Sequence, residues 1–297
     1  MLKNFHVLDG KIQDWPDSNG NIHVYVNPDE QERRFLIDQL KVDEHTLLSS
    51  MDPDEISRLE FEPDHMAIIF KRPRNYSEED QFAFKVASMG IFWFQDRCVF
   101  VLPEECTLFE GKQFHRVSSV HDLVLKLIYR TIFHYLGHLR TINMIADALE
   151  QKINRAMENK YLLNLFSLEK GMVYYQNAIH SNGMVIEKLK NFAQRIGLTP
   201  ENLELLDDII IENQQAYKQA EIYSNIFASL MDARASIVNN NLNVLIKILN
   251  IITIAIMVPT FVVSMFSMNV KIPFETQPFA FWVIMGLCGI ALAVFML

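Results

Sequence analysis

The sequence predicts an α+β membrane protein with a cytoplasmic mixed α/β domain over 1–117, a helical stalk over 118–240 and a transmembrane hairpin over 241–297. Three observations predict it. Two apolar segments, about 242–266 and 278–297, reach the roughly 20 residues that cross a bilayer as a helix. The second holds no charged residue, and the first holds only Lys247 near its start, where a long side chain can snorkel to the interface. Residues 118–195 contain no proline, and their apolar residues recur at three and four spacing, as in Leu123, Leu127, Ile128, Ile132, Tyr135 and Leu139. The first 115 or so residues carry instead short β-branched and aromatic runs between turn residues.

Taken in order, His23–Val26 reads as a short strand. Pro28 followed by Asp29-Glu30-Gln31-Glu32 starts a helix with acids in its first turn, running to Leu40. A second short helix spans Glu44–Ser50. His65–Phe70 reads as a strand stopped by Arg72-Pro73, and Phe82–Phe94 and Cys98–Leu102 as paired strands separated by Gln95-Asp96-Arg97. After Gly111 one or two long helices follow, with a break expected near Glu158-Asn159-Lys160. Gly197 terminates that bundle, and Thr199 caps the next helix through Pro200.

Charge is distributed unevenly. The chain has 297 residues and formal charge −9, and Lys247, Lys271 and Glu275 are the only charges after residue 240. That leaves 25 basic and 35 acidic residues before it, a balance that argues against nucleic-acid binding and is compatible with handling cations. Cys98, Cys106 and Cys288 have no metal spacing and suit a reducing compartment. Met1-Leu2-Lys3-Asn4-Phe5-His6 lacks the apolar run of a signal peptide. The N-terminal region is therefore expected in the cytoplasm of a cell whose inner membrane the hairpin spans. Two spans return the C-terminus to the cytoplasm and leave a loop over 267–277 outside.

From Pro200 to Phe266 the only break is Pro259. Ile209, Ala216, Tyr223, Leu230, Ile237, Val244, Ile251 and Val258 repeat one heptad position, and at about 1.5 Å per residue the expected rod is roughly 90–100 Å long. Asn243, Asn250, Met257 and Ser264 are also seven apart, with Thr253 and Thr260 beside them. At about 100° per residue all six lie within an arc of roughly 100°. Amides in hydrocarbon are expensive, so the stripe must face other helices or water. Two spans cannot enclose a pore, but a ring of copies can. The other reading is that Asn and Thr bind helices together.

The residues at this point resemble the CorA-type magnesium channels, a family of two-span metal ion transporters. Met257-Val258-Pro259-Thr260-Phe261 followed by Phe266-Ser267-Met268-Asn269 is similar to that family's Met-Pro-Leu-Thr-Phe and Tyr-Gly-Met-Asn. Leu47-Leu48-Ser49-Ser50-Met51-Asp52-Pro53-Asp54-Glu55, ahead of Arg58-Leu59-Glu60, looks like its cytoplasmic domain. The resemblance implies a funnel-shaped homopentamer in the lipid bilayer, passing divalent cations passively, Mg²⁺ first and Co²⁺ or Ni²⁺ after it. Cytoplasmic Mg²⁺ would gate it, and no organic cofactor is implied.

Position by position, the resemblance puts a selectivity filter on Ser267, Met268 and Asn269, a pore threonine on Thr260 and a cytoplasmic-side pore asparagine on Asn243. It puts a pore-mouth aspartate on Asp232, an apolar constriction on Ile246, Leu249 and Met257, and a regulatory carboxylate on Asp208 with Asp207 beside it. Three departures stand out. Ser267 replaces the motif glycine, which could adopt φ > 0 more cheaply; Pro259 sits one place later; and the family's usual basic tail does not follow Leu297. Two rivals remain: a zinc transporter of the same superfamily, and a non-conducting membrane-anchored metal-sensing protein. Asp207 and Asp208 also read as ordinary solvated charges. His134 and His138 lie four apart on a helix, but Tyr135 occupies the position where a metalloprotease has its glutamate.

Overall fold

The structure is a computed structural model that describes residues 1–15, 20–75, 82–156, 159–269 and 277–296. Two compact units divide the chain, Met1–Met231 and Asp232–Leu297. In the first, strands β1 (Leu2–Leu8), β2 (Lys11–Asp14), β3 (Ile22–Val26), β4 (Arg58–Phe61), β5 (His65–Pro73), β6 (Val86–Phe94) and β7 (Cys98–Leu102) form one sheet in the order β2-β1-β3-β7-β6-β5-β4. Only the β3–β7 pair is parallel among the described strands. Helices α1 (Glu30–Asp38) and α2 (Glu44–Ser49) lie between β3 and β4 in sequence, and β7 is followed by a 3₁₀ turn, Lys112–Phe114.

Alternation of side chains along the strands builds two cores. Met66, Ile68 and Phe70 of β5, Met89, Ile91 and Trp93 of β6, and Cys98, Phe100 and Leu102 of β7 face the larger core. Ala67, Phe92, Val99 and Val101 face a smaller one with Leu36, Val42 and Leu47 of the α1–α2 segment. The larger core is completed by α3 (Val120–Ala156), α4 (Asn159–Asn191) and the N-terminal part of α6 (Pro200–Phe266), through residues such as Leu127, Leu139, Met172, Ile186, Ile209 and Phe227. The heptad series is thus fully buried at Ile209 and Ala216.

Local signals act where expected. Asp29 caps α1 in a reciprocal box, accepting from Glu32 N at 2.9 Å while Asp29 N donates to Glu32 Oε2 at 3.0 Å. Gly197 ends the short helix α5 (Ala193–Ile196) with φ +80°, and Asn202 N donates to Thr199 Oγ1 at 3.2 Å to start α6. Three expectations are corrected. The strand expected from Phe82 begins at Val86, because Phe82 takes a left-handed φ of +66°. Arg72-Pro73 does not stop β5: Pro73 takes its last register pair, opposite Val86, and Arg74 N still donates to Lys85 O at 3.0 Å, so the proline falls at a pair whose N–H the ladder does not need. The sequence reading also passed over β1, β2 and β4. Asp9-Gly10, both at positive φ, is the two-residue hairpin turn joining β1 to β2 and was the available signal.

The Leu47–Glu55 segment is pinned to the sheet. Lys71 of β5 is buried, and its Nζ donates to Pro53 O at 2.5 Å and Ser88 Oγ at 3.0 Å, while Ser88 Oγ donates to Asp52 O. Burial pushes the Lys71 ammonium pKa down, and Asp52, Asp54 and Glu55 oppose that shift. Under Ser50 lies Gly90, where an added Cβ would meet Ser50 Cβ at 2.5 Å. Lys71 pairs with Ser88 of β6 on one side, but β4 pairing ends at Ile69, and on that open side Asn182 of α4 stands in for a strand. Its Oδ1 accepts from Lys71 N at 2.9 Å and Ser57 Oγ at 2.7 Å, and its Nδ2 donates to Lys71 O at 2.8 Å.

His138 and Tyr175 complete the larger core's polar content, sharing a hydrogen bond of 2.7 Å. Burial, with a smaller contribution from His134, lowers the His138 pKa to about 4. The imidazole is therefore neutral near pH 7, and His138 reads as part of the packed core.

Two predictions follow from this packing. Asn182→Ala leaves a buried N–H and C=O unpaired and should cost about 2–4 kcal/mol, read as a lower melting temperature of the full chain in detergent. For His138 the folded pKa lies below the unfolded value of 6.5. Its contribution is complete above pH 6.5 and is lost as pH falls toward 4, by about 2–3 kcal/mol after allowing for its partly open side. His138→Gln, which can still bond Tyr175, should flatten that part of the stability curve.

Candidate functional site

The second unit is built from the C-terminal part of α6 and from α7 (Ala280–Met296). The most apolar stretch of α6 is long enough to cross a bilayer and none of it is buried within the chain. The second apolar helix, α7, has 17 residues, roughly 25 Å of rise. A single face of α6 is partly covered, through Ala255, Val258, Pro259, Val262 and Phe266. Cys288 of α7 is buried and its Sγ lies 3.7 Å from Pro259 O, so this is the face on which the hairpin closes.

The polar stripe lies on the opposite face. Asn243, Asn250, Thr253, Met257, Thr260 and Ser264 are all exposed. At about 100° per residue, their mean direction is roughly 165° from that of the covered face. Ile246 falls within the same arc, Leu249 borders it, and both are exposed, as is Asp232.

The stripe's polar groups divide into two kinds. Thr253 Oγ1 donates to Leu249 O at 2.8 Å and Thr260 Oγ1 to Ile256 O at 2.7 Å, so these hydroxyl protons are satisfied within the helix. Asn243 and Asn250 cannot do this, and among the described residues nothing pairs their amides. They need water or another chain.

The end of α6 shows what the serine does in place of glycine. Ser267 N donates to Ser264 O at 3.1 Å, and Ser267 Oγ donates to Val263 O at 2.9 Å. Its backbone is not left-handed, the positive-φ residues among those described being Asp9, Asn27, Lys41 and Phe82 besides three glycines. The conformational freedom of glycine is not used at this position, and the hydroxyl closes the last helical turn. Met268 and Asn269 follow, both exposed. Glu275, in the expected outer loop, lies outside the described residues.

In the first unit, Asp207 and Asp208 are exposed on α6. Asp207 Oδ1 pairs with Lys190 Nζ at 2.7 Å. The Tyr129 hydroxyl pKa is raised by burial first and then by the charges of Glu212 and Asp208. Among the described residues no three His, Cys, Asp or Glu side chains converge as metal ligands. A cation held at Asp208 would therefore need ligands from water or from another copy. What the sequence reading missed is the covered face of α6. Its signal was available in Ala255, Val258, Pro259 and Val262, small or β-branched residues at helical spacing opposite the asparagines.

The family model described as "CorA-like Mg2+ transporter protein" matches residues 22–297. The cobalt/magnesium transport protein CorA of Methanocaldococcus jannaschii is 24% identical over 280 residues, covering 91% of this chain and 86% of that one. The complete structure of the CorA magnesium transporter from the same organism matches with a TM-score of 0.80 at 20% identity, covering 99% of this chain and 95% of the other. The full-length CmaX protein matches with TM-score 0.74 at 14% identity, over 99% and 96% of the two chains. The cytoplasmic domain of ZntB from Vibrio parahaemolyticus gives 0.61 at 13%, over 80% and 98%. At such identities the structural matches establish the fold.

Proposed function

The chain belongs to the CorA-like Mg2+ transporter family, and from that premise we propose that it forms a homopentameric, passive divalent-cation channel in the cell's inner membrane. It is a transporter and not an enzyme. Mg²⁺ is the first candidate cargo, with Co²⁺ next, since the relative in M. jannaschii is a cobalt/magnesium transport protein. Ni²⁺ is a further candidate. In this reading α6 and α7 both cross the bilayer, the N-terminal unit and the C-terminus are cytoplasmic, and the residues just after Phe266 face outward.

One observation carries the proposal. The stripe of Asn243, Asn250, Thr253, Met257, Thr260 and Ser264 is exposed and faces away from α7, the helix packed against α6 in that unit. Several copies turning that stripe inward would surround an axis with amide and hydroxyl oxygens.

Mg²⁺ dehydrates reluctantly, so neutral oxygens suit a hydrated ion better than a carboxylate cage would. Weak binding at several levels, at Asn269, Thr260 and Asn243, permits release as well as entry. Ile246, Leu249 and Met257 supply an apolar constriction able to close by dewetting, and Asp232 would raise the local cation concentration at the inner mouth. The drive is the membrane potential, about 2.3 kcal/mol per charge per 100 mV and therefore double for a divalent ion.

Regulation rests on the acidic first unit. A cytoplasmic Mg²⁺ bound by Asp208 and a neighbouring copy would neutralise repulsion between acidic subunits and hold the ring closed. Asp207 is a weaker candidate because Lys190 already pairs with it.

Four outcomes are expected. Thiol reagents applied to single cysteines from Leu242 to Phe266 should label the six stripe positions from the aqueous side, and protection of all six would favour helix glue. Asn269→Ala should assemble normally yet lose at least about tenfold of Mg²⁺ flux in vesicles, the loss of about 1.5 kcal/mol or more of ion contact. Ser267→Gly should keep that flux, because the serine's backbone is ordinary, and Zn²⁺ flux that needs a pH gradient would point to the zinc-transporting reading. Asp208→Ala should weaken inhibition by internal Mg²⁺ more than Asp207→Ala, and equal insensitivity to both changes would place the sensor elsewhere.

A further inference from the structure

Outside the candidate pathway, the first unit contains a basic cavity between the end of β5 and α3. It measures about 50 Å³ and is lined by Arg72, Arg130, Thr131 and His134, with Thr107 and Cys106 on the far wall. A water needs roughly 10–15 Å³ of such space, so this one takes several waters or one small oxyanion.

Its charge is unbalanced. Arg72 is only 7% exposed, and its Nε is fully buried with no hydrogen-bond partner. Its Nη2 reaches Glu104 Oε1 at 3.2 Å, but Glu104 is shared with Arg74, at 2.5 Å and 2.9 Å. Arg130 has no carboxylate partner within ion-pair distance among the described residues. Its Nη1 donates to the backbone oxygens of Thr107 and Leu108, leaving Nε and Nη2 without a bond. Glu110 acts on Arg130 only through its field. His134 feels both guanidiniums and is half-buried; burial first, then Arg130 and Arg72, lowers its pKa, so it adds no charge.

A buried guanidinium nitrogen without an acceptor is costly. Two guanidinium groups converging on one cavity with spare donors form the fork geometry that suits a tetrahedral oxyanion.

We propose that this cavity is a binding site for a small oxyanion of the phosphate class, held by Arg72 and Arg130. The neighbouring cavity of about 630 Å³ shares Asn75, Cys106, Thr107 and Leu108 with it and gives an entry route, with room for an organic group attached to the phosphate. The site depends on neither the pore nor the regulatory aspartates.

Isothermal titration of the full chain in detergent with inorganic phosphate, at constant ionic strength set by chloride, tests the proposal. Saturable binding is expected, weakened at least about tenfold in Arg130→Gln, the loss of one charge-assisted pair. Arg97→Gln, a surface change on the β6–β7 turn, should bind as the wild type does. If Arg130→Gln gives no cooperative melt, Arg130→Lys keeps the charge without the fork and should still bind more weakly. No saturable heat, binding unaffected by either Arg130 change, or equal heat from added chloride would overturn the site. A phosphate monoester that binds tighter than phosphate itself would support use of the larger cavity; equal affinity would confine the ligand to the free ion. Mg²⁺ flux measured on the same variants separates this result from the transport reading, which it leaves untouched.

Discussion

An asparagine amide on an otherwise apolar helix cannot be left in hydrocarbon without partners. That constraint organises the second unit. Thr253 and Thr260 meet it within their own helix, by donating to carbonyls one turn back. The two asparagines, Asn243 and Asn250, have no such route. The helix meanwhile closes on α7 through its other side, with Cys288 against Pro259 O. One face is thus taken by the hairpin and the opposite face carries unmet polar groups. In the proposed assembly, neighbouring copies and the water between them would supply the partners these amides lack.

The first unit solves a different problem, which is how to hold a sheet and its helices together using polar groups without leaving them unpaired. Asn182 acts as a substitute strand neighbour for Lys71, and the Lys71 ammonium ties down Pro53 and Ser88. These bonds fix the Leu47–Glu55 segment, the stretch that resembles the family's cytoplasmic domain, so its sequence is explained by packing. The acidic residues of α6 in this unit differ from one another in the same physical sense. Asp207 has a lysine partner, whereas Asp208 has no ion-pair partner among the described residues and acts on Tyr129 only through its charge.

Elements with strong periodicity or caps were legible in the residues. Asp29 with Glu32, Gly197 with Thr199, and the heptads from Ile209 all act locally, and local signals survive in a single sequence. The register of β5 was not legible, because Arg72-Pro73 resembles a stop until β6 is known to lie opposite. The edge strands β2 and β4 have four residues each, and β1 between β2 and β3 is half-exposed, so these strands carry weak alternation. For the candidate pathway, the asparagine stripe was readable from spacing alone, as was its need for partners. Small or β-branched Ala255, Val258, Pro259 and Val262 marked the opposite face in the sequence, but that α7 closes on it required coordinates, since nothing in the α7 sequence points to that face. The basic cavity of Arg72 and Arg130 was invisible for the same reason: the residues are 58 positions apart in the chain and meet only through the fold.

The central claim is that stripes from different copies face one common axis. Pulsed dipolar spectroscopy on the reconstituted protein, with a nitroxide at Asn250→Cys or at Ile251→Cys, measures it directly. Position 250 lies in the stripe, whereas 251, itself exposed, points about 130° away from its centre, toward the side on which the hairpin closes. The account predicts that labels at 250 are closer together than labels at 251, with two distances in a ratio of about 1.6, as five-fold closure requires. Labels at 250 that lie farther apart than those at 251, or that show no distance between copies, would contradict it.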